Sequence, residues 1–250
     1  MNTWIFLRGL TRESGHWGAF VERFQVALPG STVLALDLPG NGALCKQRSP
    51  TRVVDMVAHC RSQLNSAGVA APYHLLAMSL GAMVAVAWAD AYPQDVAAQV
   101  LINTSMRPFS RFYQRLRPAS YGALAALALP GATPHKWERT VLNLTTHHVH
   151  ADILADWLAL HQAHPVSRAN ALRQLWAAAR YVAPKSVPTV PTLVLASRCD
   201  RLVNVECSRA LARHWQCPLQ QHPSAGHDLA LDDGVWVAGQ VREFLTTYTL

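Results

Sequence analysis

One stretch limits the possible folds of this chain more than any other. Residues 73–78 form an apolar run of strand length, and the Ala/Val/Met/Trp-rich segment after Ser79 predicts a helix to about Tyr92. Ala77 and Gly81 stand two residues to either side of the serine. A serine on so tight a strand-to-helix turn is expected to have a strained backbone and an exposed hydroxyl. Its neighbours must be small because strand and helix approach closely there. The N-terminal N–H groups of the helix would face any negative charge that forms near Ser79.

The rest of the chain repeats this alternation of short apolar runs and helices. Strands are predicted at residues 4–7, 33–36, 73–78, 100–103, 191–196 and 219–222, and helices at about 17–27, 51–67, 80–92 and 235–248. Such an alternation is typical of an α/β protein whose parallel sheet is covered on both faces. These sheets bind ligands at the carboxyl ends of their strands, which is where Arg8-Gly9-Leu10, Ser79 and Asp200 fall.

The segment Ala77-Met-Ser-Leu-Gly81 resembles the nucleophile elbow of the α/β-hydrolase superfamily, Gly-x-Ser-x-Gly, with Ala in place of the first Gly. Taken alone, the five residues also fit a buried serine in an ordinary strand–loop–helix crossover. The resemblance extends over nearly the whole chain. It implies an α/β-hydrolase fold, with a mostly parallel sheet flanked by helices and a helical lid inserted before the last strands. The chain begins at what looks like the third strand of many members, so their leading antiparallel hairpin is missing.

The resemblance also implies a catalytic triad. A serine hydroxyl needs an adjacent base that is oriented by a third group, and the family supplies them in the order serine, acid, histidine. Asp200 follows the strand at 191–196, and His227 lies in the loop Ser-Ala-Gly-His after the last strand. Ser79, Asp200 and His227 are therefore the predicted catalytic residues. The alternatives are an aspartate in a polar turn and a histidine that caps the last helix.

Two backbone N–H groups are predicted to form the oxyanion hole, those of Leu80 and Leu10. In the family the second donor follows a His-Gly pair, which reads Arg8-Gly9 here. Arg8 predicts a cation near the mouth of the pocket, where it would favour an anionic substrate. A solvated arginine in the same structural position is the alternative.

Residues 107–185 interrupt the alternation with helical sequence, and the resemblance assigns them to a cap or lid between core segments 1–106 and 186–250. Trp157 and Trp176 are candidates to line the substrate pocket, although a small core of the lid would explain them equally well. The formal net charge is +7. Part of the excess is a basic cluster at the start of the insertion, formed by Arg107, Arg111, Arg115 and Arg117.

The basic cluster has three interpretations. No nucleic-acid-binding motif accompanies it, which argues against a nucleic-acid partner. An acidic partner such as an acyl carrier protein would bind there, and a plain solvated surface is the third interpretation. Arg111 is also a predicted substrate-binding residue.

Other patterns exclude several classes of protein. No apolar run reaches 18 residues, and no signal peptide pattern is present. Five cysteines without CxxC spacing favour free thiols in the cytoplasm over disulfides or a zinc site. His147 and His150 have a spacing that would suit zinc, but no HExxH pattern accompanies them, so an incidental polar stretch is favoured.

The resemblance thus implies a cytoplasmic serine hydrolase that cleaves a small carboxylic ester through an acyl-enzyme, without metal or organic cofactor. The basic lid is similar to that of pimeloyl-acyl-carrier-protein methyl ester esterases. Thioesters, lactones and carbon–carbon bonds are cleaved by the same triad in other members. A non-catalytic binding module of the same fold is the alternative from another class.

Overall fold

The computed structural model describes residues 2–128, 131–147 and 151–248. Its centre is a six-stranded sheet in the order β2-β1-β3-β4-β5-β6, in which every strand pairing is parallel. The strands are β1 (Asn2–Leu7), β2 (Ser31–Leu36), β3 (Tyr73–Met78), β4 (Val96–Ile102), β5 (Thr192–Ser197) and β6 (Leu219–His222). The predicted parallel sheet is confirmed.

Eleven α-helices connect and cover the strands in the part of the chain that is described. They are α1 (Phe20–Ala27), α2 (Val53–Ser66), α3 (Leu80–Ala91), α4 (Phe112–Arg115), α5 (Tyr121–Ala128), α6 (Pro134–Thr145), α7 (Ala151–Ala163), α8 (Arg168–Arg180), α9 (Glu206–Trp215), α10 (Leu229–Asp232) and α11 (Gly234–Tyr248). The predicted helices correspond to α1, α2, α3 and α11.

Side chains of the central strands alternate between two apolar clusters, one on each face of the sheet. In β1, Ile5 and Leu7 belong to the cluster covered by α2, α3 and α9, whereas Trp4 and Phe6 belong to the cluster covered by α1 and α11. Successive residues of a strand point to opposite faces, so a strand buried on both sides must be apolar throughout. This two-sided burial fixes the sheet, and it fixes the positions of the loops that follow the strands.

Helices α4 to α8 all lie between β4 and β5, in the segment that we call the helical insertion (residues 107–185). Its two ends meet, because Arg107 and Val182 form a parallel β-bridge and the Ala183 N–H donates to the Arg107 carbonyl at 2.7 Å. A separate cap domain at 107–185 remains a prediction.

The described helices include none that is both long and apolar enough to cross a membrane. All five cysteines are free thiols.

Candidate active site

Ser79 occupies the tight turn between β3 and α3. Its backbone has φ 54° and ψ −115°, a conformation that non-glycine residues rarely adopt. The Ser79 N–H is held by the Ile102 carbonyl of β4 at 3.0 Å. A side chain at Gly81 would place its β-carbon 2.4 Å from the carbonyl oxygen of Leu7 and 2.7 Å from that of Arg8. The crowding that requires a small residue at 81 therefore comes from the end of β1, whereas the sequence suggested the approach of strand β3 and helix α3.

The loop after β1 lies directly against this serine. A β-carbon added to Gly9 would be 3.1 Å from the Ser79 β-carbon and 3.7 Å from its Oγ. The loop is held in a turn by the Arg12 N–H, which donates to the Gly9 carbonyl, and by the Thr11 N–H, which donates to Gln174 Oε1 of α8 at 2.8 Å.

The two predicted oxyanion donors remain unpaired in this arrangement. Neither the Leu10 N–H nor the Leu80 N–H donates a hydrogen bond to any residue that the structure describes. Leu80 is the first residue of α3, where N–H groups have no partner within the helix. Both groups are therefore available to a negative charge beside Ser79.

His227 and Asp200 form a buried pair at the ends of the neighbouring strands. His227 Nδ1 lies 2.6 Å from Asp200 Oδ2, and the other carboxylate oxygen accepts the N–H groups of Leu202 (2.7 Å) and Val203 (2.9 Å). Burial lowers the pKa of His227, but the charge and hydrogen bond of Asp200 outweigh it, so the pKa lies above the ordinary value. The pair can hold one tautomer of the imidazole and leave Nε2 for a substrate-side proton.

No hydrogen bond joins Ser79 Oγ to His227 among the described contacts. In substrate-free enzymes such contacts are often long and tighten only when the substrate binds.

Asn103 holds the histidine loop in place, and the sequence analysis did not identify it as a site residue. Its Nδ2 donates to the carbonyls of His227 (2.8 Å) and Gly226 (3.2 Å) and to Ser197 Oγ (3.0 Å), and its Oδ1 accepts the Ser197 N–H. Asn103 has φ 44°, a region that asparagine tolerates better than most residues. A polar residue directly after a central strand was the available signal.

Arg8 is buried in an ion pair with Asp228, the residue after His227. Its Nη1 and Nη2 lie 3.1 and 2.5 Å from the two carboxylate oxygens, and its guanidinium is 4.7 Å from the centre of the Trp17 ring. Only 2% of Arg8 is exposed. The sequence predicted a cation facing substrate at the pocket mouth, but in the structure the Arg8 charge is already neutralised by a carboxylate that no local pattern reveals.

A second buried arginine of the same loop reaches the helical insertion. Arg12 Nη1 lies 2.6 Å from Glu138 Oε2 and 2.7 Å from His16 Nε2, and its guanidinium is 4.5 Å from the Trp157 ring. His161 Nδ1 contacts the other Glu138 oxygen at 2.7 Å. Burial raises the pKa of Glu138, but Arg12 and His161 lower it more, to below the ordinary value. Trp157, a predicted substrate contact, is thus buried within this cluster.

The C-terminal end of α6 contacts the loops of both predicted catalytic partners. The Asp228 N–H donates to the Thr145 carbonyl at 2.7 Å, and Arg201 Nη1 donates to the Asn143 carbonyl at 2.9 Å. His147 Nε2 lies 2.9 Å from the carbonyl oxygen of Cys199.

The remaining histidines of the predicted polar cluster, His148 and His150, lie outside the described residues. Within the ranges that the structure does describe, no group of three His, Cys, Asp or Glu side chains could hold a metal ion.

Two further predicted substrate contacts lie on the surface of the helical insertion. Arg111 is exposed and its Nη1 donates to the Tyr113 hydroxyl at 3.0 Å. Trp176 is 54% exposed, and Arg180 lies over its ring at 5.3 Å. The contacts of both residues are therefore with their own neighbours on the insertion.

The basic cluster at the start of the insertion is partly structural. Arg115 donates to the carbonyls of Ala178 (2.6 Å) and Ala179 (3.1 Å) at the end of α8, and Arg117 Nη1 donates to the Asp200 carbonyl at 2.7 Å. Arg107 and Arg111 remain exposed.

A parallel sheet with a serine on a strained turn after its third strand, and a buried His–Asp pair at neighbouring strand ends, defines a well-known class of α/β proteins. The chain belongs to the α/β hydrolase family, whose model (Alpha/beta hydrolase family) matches residues 4–240. No curated protein matches it in sequence.

Solved structures share the fold over almost the entire chain. A putative non-heme bromoperoxidase BpoC from Mycobacterium tuberculosis H37Rv is 20% identical with a TM-score of 0.77, covering 99% of this chain and 93% of that one. A putative lipase (lip1) from Acinetobacter baumannii AYE is 22% identical (TM-score 0.77, coverage 99% and 84%). The esterase RhEst1 from Rhodococcus sp. ECU1013 is 19% identical (TM-score 0.77, coverage 99% and 91%).

Proposed function

We propose that this protein is a serine hydrolase that cleaves a carboxylic ester with Ser79, His227 and Asp200. The observation that carries the proposal is the buried 2.6 Å contact between His227 Nδ1 and Asp200, in a sheet that also carries a serine on a positive-φ turn at a strand's carboxyl end. A histidine oriented in this way is what a serine hydroxyl needs to become a nucleophile at neutral pH. The available N–H groups of Leu10 and Leu80 support acyl transfer in particular.

In the proposed mechanism, His227 Nε2 takes the Ser79 proton as Oγ attacks the ester carbonyl. The Leu10 and Leu80 N–H groups stabilise the oxyanion, each contributing roughly 10²–10³-fold to the rate. His227 then protonates the departing alcohol, and a water activated by the same histidine releases the acid. Asp200 fixes the imidazole tautomer and stabilises the imidazolium. This sequence of steps uses no metal or organic cofactor.

Residues 107–185 would serve as the lid that shapes the substrate pocket, so they would set the choice among esters, thioesters, lactones and carbon–carbon bonds. The five free thiols fit a reducing compartment such as the cytoplasm.

A carrier-bound methyl ester is a second candidate substrate, which the exposed Arg107 and Arg111 favour. Arg115 and Arg117 no longer support it, since both are bound to backbone carbonyls. Reversing the charge at Arg107 and Arg111 should then slow turnover of a carrier-bound ester and leave the free methyl ester unaffected. Equal turnover of the two esters would reject this candidate.

The primary test is labelling with a fluorophosphonate, together with hydrolysis of p-nitrophenyl esters of increasing chain length. Ser79→Ala should abolish labelling and lower kcat by roughly 10⁶-fold. Ser224→Ala, at an exposed serine of the histidine loop, is the matched control and should label like the unaltered protein. Labelling that persists in Ser79→Ala would contradict the assignment of the nucleophile. A folded protein with neither labelling nor turnover would favour the binding module.

A further inference from the structure

The excess positive charge of this protein is confined to the helical insertion. Residues 107–185 contain ten Lys and Arg but three Asp and Glu, a net charge of +7. The rest of the chain contains twelve of each sign and is neutral on balance. No acidic residue occurs between Trp157 and Cys199, a span that includes the whole of α8. The insertion therefore presents a positive face on an otherwise balanced molecule.

Helix α8 has two amide side chains, Asn170 and Gln174, buried against the core. Gln174 is fully buried, and its Nε2 donates to Asn41 Oδ1 (2.7 Å) and Ser49 Oγ (3.0 Å). Asn170, one turn earlier, accepts the Ser49 N–H at 3.0 Å and donates to the Gln47 carbonyl at 2.9 Å. Hydrogen bonds to loop residues thus attach this helix together with the small Ala177, which is buried in the apolar cluster covered by α2, α3 and α9, whereas most surface helices turn a wider apolar face inward.

The opposite face of α8 is apolar and exposed. Leu172, Leu175 and Trp176 are 61%, 45% and 54% exposed, and their i, i+3, i+4 spacing places them side by side. Arg168 and Arg180 are exposed on the same helix. Arg115 of α4 binds the last carbonyls of α8, which brings Phe112 of α4, 76% exposed, to the same end of the helix.

We propose that this face of α8 docks on an anionic lipid surface. Leucine and tryptophan side chains flanked by arginines are the combination by which interfacial helices bind the boundary between headgroups and acyl chains. Adjacent arginines add attraction to anionic headgroups that falls off within a Debye length. Gln174 accepts the Thr11 N–H beside Leu10, so the docking face lies across one helix from the proposed oxyanion loop.

The positive charge of α8 favours an anionic lipid surface over a second copy of the chain. Two copies joined through α8 would bring Arg168, Arg173 and Arg180 of each against those of the other, without an acidic residue on the helix to compensate. An acidic protein would satisfy the arginines, but it would leave the exposed leucines and tryptophan in need of an apolar groove.

The test is flotation with vesicles of phosphatidylglycerol or phosphatidylcholine, carried out with the full chain bearing Ser79→Ala so that lipid is not consumed. Binding to phosphatidylglycerol vesicles at low salt is expected, with a strong decrease at high salt. The double variant Leu175→Ser, Trp176→Ser should weaken binding roughly tenfold or more. The triple variant with Gln at Arg168, Arg173 and Arg180 should weaken it roughly 100-fold.

Matched controls lie on helices outside the insertion. Val235→Ser removes an apolar side chain that is 70% exposed, and Arg213→Gln removes an exposed arginine of α9; both should bind vesicles normally. Equal weakening in these controls would overturn the proposal, and so would binding to neither vesicle.

Two other outcomes would assign the α8 face to a different partner. A protein that sediments as a dimer, and that Leu175→Ser, Trp176→Ser converts to a monomer, would assign the face to a second copy of the chain. Capture by purified acyl carrier protein without vesicle binding would assign it to an acidic protein. Because the flotation experiment does not measure catalysis, an absence of vesicle binding would not count against the proposed hydrolase activity.

Discussion

Two arginines of the loop after β1, Arg8 and Arg12, are each buried against a tryptophan ring, but they pair with different carboxylates. Arg8 stacks on Trp17 and pairs with Asp228 beside His227. Arg12 stacks on Trp157 and pairs with Glu138 of α6. The loop after β1 therefore binds the histidine loop with one arginine and the helical insertion with the other.

The same kind of buried arginine–carboxylate ion pair therefore serves two purposes in this fold. A charge next to His227 alters the proton affinity of the proposed catalytic base, whereas the same charge further away contributes only to attachment. In decreasing order of expected effect, the first and third predictions below separate these two uses, and the second concerns the histidine loop itself.

Glu138→Gln should lower the free energy of unfolding by about 3–5 kcal/mol, because it leaves Arg12 as a buried charge without its partner. The pKa of Glu138 is lowered in the folded state, so its contribution is complete above pH 4.5 and is lost as the pH falls through the folded pKa. Denaturant unfolding should show the variant and the unaltered protein converging in acid.

The control for this prediction is Glu206→Gln, which breaks the more exposed Glu206–Arg209 pair on α9 and should cost less than about 1 kcal/mol. A loss from Glu138→Gln that is no larger than this would show that the Arg12 pair does not anchor the insertion.

Asn103→Asp should lower kcat roughly 100-fold, since it replaces the amide that holds the His227 and Gly226 carbonyls by a carboxylate that repels them. Gln99→Glu makes the same chemical change at a buried residue of the same strand, where the amide donates to Thr192. That control should lose stability but keep kcat in the folded protein. An equal loss of kcat in both variants would assign Asn103 a purely structural role.

Arg8→Gln and Asp228→Asn should move the acid limb of the kcat/KM profile in opposite directions, each by about one pH unit. Burial lowers the pKa of His227, Asp200 and Asp228 raise it, and Arg8 lowers it. Loss of Arg8 therefore raises this pKa and moves the limb to higher pH, whereas loss of Asp228 moves it to lower pH.

Arg8→Lys keeps the charge and should leave the acid limb near its original position. The double variant Arg8→Gln, Asp228→Asn should also return close to it. NMR titration of His227 in the Ser79→Ala background measures the same shift without turnover. Movement of the limb in one direction for both single variants would contradict the electrostatic role.

The sequence predicted Ser79 from the small residues of a strand-to-helix turn, and it predicted Asp200 and His227 from the family's order of serine, acid and histidine in the loops after later strands. The partners of the two arginines could not be found in this way. Arg8 and Asp228 are 220 residues apart, and Arg12 and Glu138 are 126 apart. Spacing and hydrophobicity patterns are local, so they do not predict an ion pair between residues that only the folded chain brings together.

Trp176 shows a second limit of sequence reasoning. Its apolar character suggested an inward position, but Asn170 and Gln174 occupy the inward face because loop backbone and side chains satisfy their amides. Hydrophobic periodicity indicates the period of a helix. It indicates the buried face only where apolar packing attaches that helix.

The contacts at the C-terminal end of α6 limit which segments of the helical insertion could be exchanged between related proteins. The Thr145 carbonyl accepts the Asp228 N–H, and the Asn143 carbonyl accepts Arg201 beside Asp200. A chimaera that replaces residues 107–185 wholesale would also replace the helix that positions these two carbonyls against the loops of His227 and Asp200. A functional chimaera would therefore keep α6 in its place, and it would also keep Gln174 of α8, whose side chain accepts the Thr11 N–H.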